Sequence, residues 1–465
     1  MKRLTPSDAM FLYGETREVM MHVAGLLPFS PAPDASPETL RHLIDEIREG
    51  VRVEKPWSLR LRTPELLRNP LQAWIEADAV DVDYHVRRSA LPRPGDEREL
   101  GILVSRLHGH ALDFHHPPWE VHFIEGLEGG RFAMYAKVHH SLVDGYTAMR
   151  ILANALTTDP DDRSRPLFFS VPPRPRAKKP DGDDHGGLHF HELLATVREH
   201  YGASKTVVKA LMNVMQSSRS GHKELVSPTQ APMCVLNARI SRNRRFATQK
   251  IATARIKAAA HELGGTLNDV VLALCASALR RYLLELDALP AEPLVAMLPV
   301  AIRQKGDAGG GNAVGAILAT LATDVEEPRA RLETIIASTS SAKQQLQGMS
   351  SAAMLQYSAA LVAPAMMQML PITSGRMRPT FNVVISNVPG PDEPLYFRGA
   401  RLEANFPVSI PVHGQALNIT CSSYAGWMCF GFTGCRDTVP HLQRIAVYCG
   451  DAMGELEDAL GLEAV

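Results

Sequence analysis

A run of prolines and charges, Pro172-Pro173-Arg174-Pro175-Arg176-Ala177-Lys178-Lys179-Pro180, divides this chain into two parts. Repeated prolines support neither a continuous helix nor a central strand, so secondary structure must stop and restart there. The chain has 465 residues, more than one ordinary core serves, and two domains of roughly 150–250 residues are expected. The composition predicts a first domain over 1–158, a Pro-rich charged linker over 159–187, a crossover helix and basic segment over 188–245, and a second domain over 246–465. Each domain mixes strands and helices, so the fold class is α/β.

The first domain ends on the stretch that carries the chemistry. Residues 131–137 alternate like a half-buried strand. A preceding strand over 121–127 and the turn Glu128-Gly129-Gly130 make the two a hairpin. The strand hands over at Val138-His139-His140-Ser141-Leu142-Val143-Asp144-Gly145 to residues 141–156, whose Leu142, Met149, Leu152 and Leu156 have helical spacing. Two adjacent imidazoles at a strand end, with a carboxylate four residues beyond the second, admit three readings. They can be a structural pair, part of a metal site, or a general base with its supports. A metal would draw on His108, His110, His115, His116 and His122, but their spacing matches no ligand signature. A base is chemically apt, because imidazole titrates near pH 6.5.

Elsewhere the sequence predicts a capped helix over 5–14, a strand over 20–27, a helix over 36–49, an edge strand over 81–86 and a helix over 97–110. In the second half, Thr266 is placed to cap an apolar helix over 270–286, with Asp269 as its reciprocal partner. The Met-rich stretch 349–370 reads as a buried core helix in preference to a membrane-interface element.

Residues beyond the hairpin extend the pattern. His139-His140-Ser141-Leu142-Val143-Asp144-Gly145 matches HHxxxDG, and the chain also carries Leu4-Thr5-Pro6-Ser7-Asp8-Ala9-Met10-Phe11-Leu12, Met21-His22-Val23, Pro118-Trp119-Glu120, Asn268-Asp269-Val270-Val271-Leu272-Ala273, Pro299-Val300-Ala301-Ile302-Arg303, Gly311-Asn312 and Ser386-Asn387-Val388-Pro389-Gly390-Pro391. In this order they resemble the bacterial wax ester synthase/acyl-CoA:diacylglycerol acyltransferases of the HHxxxDG CoA-dependent superfamily. One departure is Pro117-Pro118-Trp119 where the family usually has Pro-Leu-Trp.

The resemblance implies two chloramphenicol-acetyltransferase-like domains, with mixed, largely antiparallel sheets and a channel between them. It implies O-acyl transfer from acyl-CoA to a long-chain fatty alcohol and, less efficiently, to diacylglycerol. His140 would be the general base, with His139 beside it as a positioning or packing residue and no acyl-enzyme. Asn268 would polarise the oxyanion or position a substrate, unless it merely caps its helix. Asp144 would pair structurally with Arg303, and Gly145, Asn312, Ser386 and Asn387 would line the substrate path. No permanently bound cofactor or metal is implied; acyl-CoA is a substrate. A carrier-protein-dependent condensation enzyme and a silent lipid-binding protein are the alternatives on this fold.

Charge and cysteines bound the rest. Lys+Arg 49 against Asp+Glu 50 gives a net charge of −1, so no global field favours nucleic acid. The six cysteines form no C-x-x-C pair, and the N-terminus shows no apolar leader region. Both point to a cytoplasmic protein with reduced thiols, in peripheral contact at most with the inner membrane or lipid bodies.

Overall fold

The computed structural model describes residues 2–462 apart from 5, 33, 34, 37, 66–68, 70, 71, 144–146, 148–150, 153, 172–224, 302–313, 348 and 369–375. Two large sheets organise it. The first runs, in spatial order, Tyr396–Phe397, Ala400–Leu402, His22–Ser30, Phe132–His139, Trp119–Glu125 and Val86–Ala90, with Phe406–Val408 also pairing to His22–Ser30. The second runs Val314–Thr320, Val295–Ala301, Val383–Val388, Leu417–Tyr424, Trp427–Cys435 and Arg244–Ala252. A small sheet joins Lys2–Arg3, Ala73–Glu76 and Leu59–Leu61. Most neighbours are antiparallel; Val86–Ala90 with Trp119–Glu125, and Val383–Val388 with both its neighbours, are parallel.

The expected hairpin is present. Trp119–Glu125 and Phe132–His139 pair antiparallel, from Trp119 opposite Val138 to Ile124 opposite Ala133. The turn between them needs the left-handed backbone of Gly129 and Gly130 (φ 73° each), which glycine adopts without strain. The helix Leu267–Glu285 also starts as expected. Thr266 accepts from the Asp269 amide while the Asp269 carboxylate accepts from the Thr266 amide at 2.8 Å.

Other expectations change. Residues 81–86 are not an edge strand: Asp81 caps a short helix, Val82–His85, and the strand is Val86–Ala90. The alternation of Val82, Tyr84 and Val86 satisfies both readings, and the Asp81 cap decides it. Within the stretch expected as a linker, Leu167, Phe168 and Phe169 are buried, and the Phe169 carbonyl accepts from the Glu54 amide. The helix expected within 188–245, over residues 188–215, lies outside the described residues.

The two halves are interlocked. Residues between 396 and 408, which follow strands of the second sheet, add strands to the first. The helix Glu97–His108 packs on both sheets: Ser105 Oγ accepts from the Phe246 amide at 2.8 Å, and Gly101 lets the Phe246 backbone come close. The helix Ser351–Gln368 carries no charged residue. It buries Ala353, Tyr357, Leu361 and Ala365 in the core around Leu267–Glu285, a single face at four-residue spacing. Among the described residues no single helix is long and apolar enough to cross a membrane.

Candidate active site

Alternation along Phe132–His139 decides where its side chains point. Tyr135, Lys137 and His139 face one way, toward the helix Glu97–His108; Ala136 and Val138 face the other. His140, one residue past the strand, continues the second series.

On the first side the strand carries a buried polar network. Lys137 Nζ donates to the carbonyls of Leu107 (3.2 Å) and His110 (3.0 Å) and pairs with Glu120 at 3.3 Å. His108 Nε2–H donates to the Ser409 carbonyl (2.9 Å), so its Nδ1 accepts from the Tyr135 hydroxyl (2.9 Å). His22 Nε2 donates to the His108 carbonyl. Burial pushes His108 down to about 3, against the opposing effect of the Ser409 carbonyl. Burial, with the charges of its neighbours, also holds His22 well below the ordinary imidazole range. Burial would raise the Glu120 carboxyl, but the His122 hydrogen bond and the Lys137 and Arg87 charges outweigh it and hold it at about 2.

His139 belongs to this side. It is fully buried. Its Nδ1 faces the Ser141 hydroxyl at 2.6 Å and accepts from the Ser141 amide at 3.2 Å, leaving Nε2–H to donate to Glu15 Oε2 at 3.2 Å. The same Glu15 oxygen accepts from the Met21 amide at 2.6 Å. His140 is held differently. Its amide donates to the Met21 carbonyl (2.9 Å), its ring stacks on Phe11 at 3.9 Å, and the residue is half-buried. Glu15 therefore ties down His139 and Met21, the two residues that flank and support His140.

On the second side a cavity of about 70 Å³ opens beside the strand. Val23, Gly25, Ala136 and Val138 form its floor, Trp57, Leu152 and Phe168 cover it, and Val388, Ser409 and Thr420 bring the second half against it. The cavity thus lies between the halves, on the side to which alternation directs His140.

The other expected site residues are distributed as follows. Asn268 is half-buried in the first turn of its helix; the cap is Thr266, so Asn268 does not serve as one. No hydrogen bond joins Asn268 to the histidine loop among the described residues. Ser386 lies opposite Thr420 on the parallel strand and shares a face with cavity-lining Val388, whereas Asn387 points to the other face. Asp144, Gly145, Arg303 and Asn312 lie outside the described residues. Glu15 and Phe11 were absent from the expected site. Their signal, an acidic residue and an aromatic just upstream of Met21-His22, carries no chemistry until the strand pairing brings it to the histidines. Among the described residues no three His, Cys, Asp or Glu side chains gather to hold a metal ion.

With this geometry defined, comparison with known proteins is decisive. Residues 4–271 match the wax ester synthase/diacylglycerol acyltransferase catalytic domain, and residues 310–457 match the WS/DGAT C-terminal domain. The chain belongs to this family. It is 51% identical to a putative diacylglycerol O-acyltransferase of Mycobacterium tuberculosis, covering 99% of this chain and 98% of that one. It is 39% identical to an O-acyltransferase WSD of Acinetobacter baylyi, over 96% and 95%. The wax ester synthase/diacylglycerol acyltransferase of Marinobacter aquaeolei VT8 superposes with a TM-score of 0.80 at 39% identity, covering 99% of this chain and 100% of that one. The first condensation domain of the calcium-dependent antibiotic synthetase shares the fold alone, with a TM-score of 0.57 at 18% identity over 100% and 97%.

Two outcomes are expected. Glu15→Ala leaves the His139 Nε2–H and the Met21 amide without a buried acceptor, at about 1–3 kcal/mol for each unpaired group; chemical denaturation would show the loss. For the pH dependence, the unfolded chain protonates His108 near 6.5 and the folded chain only near 3. Stability therefore falls as pH drops below about 6.5 and stops falling on this account near 3. Glu120 contributes stability that is complete above about 4.5 and is lost as pH falls toward 2. His108→Gln should flatten the decline in denaturation midpoint between pH 7 and 5; an unchanged slope would contradict the assignment.

Proposed function

We propose that this acyltransferase moves a long-chain acyl group from acyl-CoA to a fatty alcohol, and less efficiently to diacylglycerol, with His140 as general base. The acceptor O–H gives its proton to the imidazole as its oxygen attacks the thioester carbonyl. The tetrahedral intermediate collapses to the ester, the C–S bond breaks, and the imidazolium returns the proton to the CoA thiolate. No acyl-enzyme forms, because one group serves as base and then as acid.

The observation that carries this reading is the split between the histidines. His139 has both ring nitrogens engaged in a buried, fixed arrangement, whereas half-buried His140 follows the cavity-lining series Ala136–Val138. The mainly apolar lining of the cavity supports aliphatic substrates. Asn268, whose capping role is taken by Thr266, is our candidate for the oxyanion donor, and Ser386 for the cavity wall. Asp144 and Arg303 would form the structural pair that keeps the histidine loop in shape.

Release of CoA from palmitoyl-CoA, with hexadecanol, a diacylglycerol or a short polar alcohol as acceptor, tests the proposal. The expected order is hexadecanol, then diacylglycerol, then the polar alcohol. Release from palmitoyl-CoA with none of them, but from a carrier-bound palmitoyl thioester, would favour the condensation-type alternative; no release from either would favour a silent lipid-binding protein.

A further inference from the structure

The cavity lined by Val138, two residues before His140, has a composition that the transfer chemistry does not require. Its floor includes Gly25 and Ala136, small residues on neighbouring strands paired directly opposite each other. Over that floor lie the rings of Trp57 and Phe168, packed edge to face with centroids 4.8 Å apart. Trp57 is fixed further by Trp119, whose indole N–H donates to the Trp57 carbonyl at 2.8 Å and whose ring meets it edge to face.

The polar groups on the lining are already engaged. Thr420 Oγ1 donates to Asn418 Oδ1 (2.9 Å), so the contact of 2.6 Å between Ser409 and Thr420 has the Ser409 hydroxyl donating. The Lys137 ammonium is turned to the opposite side of the sheet, on two carbonyls and Glu120. What remains is aliphatic and aromatic surface, which suits an alkyl chain and not a charged or sugar-like group. Yet about 70 Å³ falls far short of the roughly 300–1,000 Å³ of ordinary ligand pockets. The largest side chains limiting it are Trp57 and Phe168.

We propose that Trp57 and Phe168, above the Gly25–Ala136 floor, set the length of alkyl chain this enzyme accepts. This rests on the acyl-transfer reading above. A chain whose reacting carbon or oxygen is at His140 runs between floor and rings, and the rings stop it or must turn aside for its last carbons. Removing a ring extends the space; enlarging Ala136 shortens it. The chain is either the acyl group of the thioester or the alkyl group of the alcohol, and both are aliphatic.

The test compares wild type with Trp57→Ala, Phe168→Ala and Ala136→Leu, each first checked for a cooperative melt. One series varies acyl-CoA from ten to eighteen carbons with hexadecanol fixed; the other varies the alcohol over the same range with palmitoyl-CoA fixed. Since each methylene that gains or loses its place changes kcat/KM by about tenfold or more, Trp57→Ala and Phe168→Ala should raise the eighteen-to-ten-carbon ratio at least that much. Ala136→Leu should lower it. The series that moves identifies which chain occupies the cavity. Folded variants that keep the wild-type ratio in both series would overturn the proposal while leaving the transfer reading intact. A second readout needs no turnover: the rise in melting temperature given by decanoic and octadecanoic acids. Trp57→Ala should shift that response toward the longer acid. If the wild type released no CoA, the transfer reading would fail, and this response would still decide the role of the rings; an unchanged preference would overturn it.

Discussion

The two-residue period of one strand separates two adjacent histidines into different environments. Phe132–His139 turns Tyr135, Lys137 and His139 toward a helix and Ala136 and Val138 toward a cavity. The imidazole of His139 thereby becomes part of the buried framework, while His140 begins the loop on the cavity side. A shift of one residue in the pairing with His22–Ser30 would exchange these environments. Much of the surrounding structure serves to hold that register.

Holding it involves burying charge. Lys137, Glu120, His108 and His22 are all nearly inaccessible, an arrangement that is favourable only when each polar group finds a partner. Here the partners come from both halves of the chain, and of these four side chains only His22 leaves a buried atom, Nδ1, without a hydrogen bond among the described residues: the His108 imidazole reaches the Ser409 carbonyl 301 residues away, and Arg244 donates to the carbonyls of Ser241 and Glu18. The polar side of the Phe132–His139 strand is thus also where the halves are joined. Strands between 396 and 408 complete the first sheet from the second half, so neither half forms the cavity alone.

Local signals made part of this readable in advance. The hairpin follows from alternation around a Gly-Gly turn, the Leu267–Glu285 helix from Thr266 and Asp269, and the core placement of Ser351–Gln368 from its Met-rich, uncharged composition. Short segments were ambiguous, and at residues 81–86 a strand-like pattern gave way to a capped helical turn. Non-local pairing was invisible. Nothing near Glu15 announces that its carboxyl meets His139, 124 residues on, nor near Tyr396 that it pairs back into the first sheet. Phe168 and Phe169 sit in a segment whose prolines and charges suggested a linker, and only packing against Trp57 and Trp119 reveals them as core.

The central claim is that His140 moves the proton and His139 holds the loop. It is tested most directly by measuring CoA release and thermal unfolding together for His140→Ala and His139→Ala. The account predicts that His140→Ala melts near the wild type and loses about 10²- to 10⁴-fold in rate. His139→Ala, which leaves the Glu15 carboxyl and the Ser141 hydroxyl without their buried partner, should melt lower and retain measurable turnover. A His139→Ala protein of normal stability and no activity, beside an active His140→Ala, would contradict it.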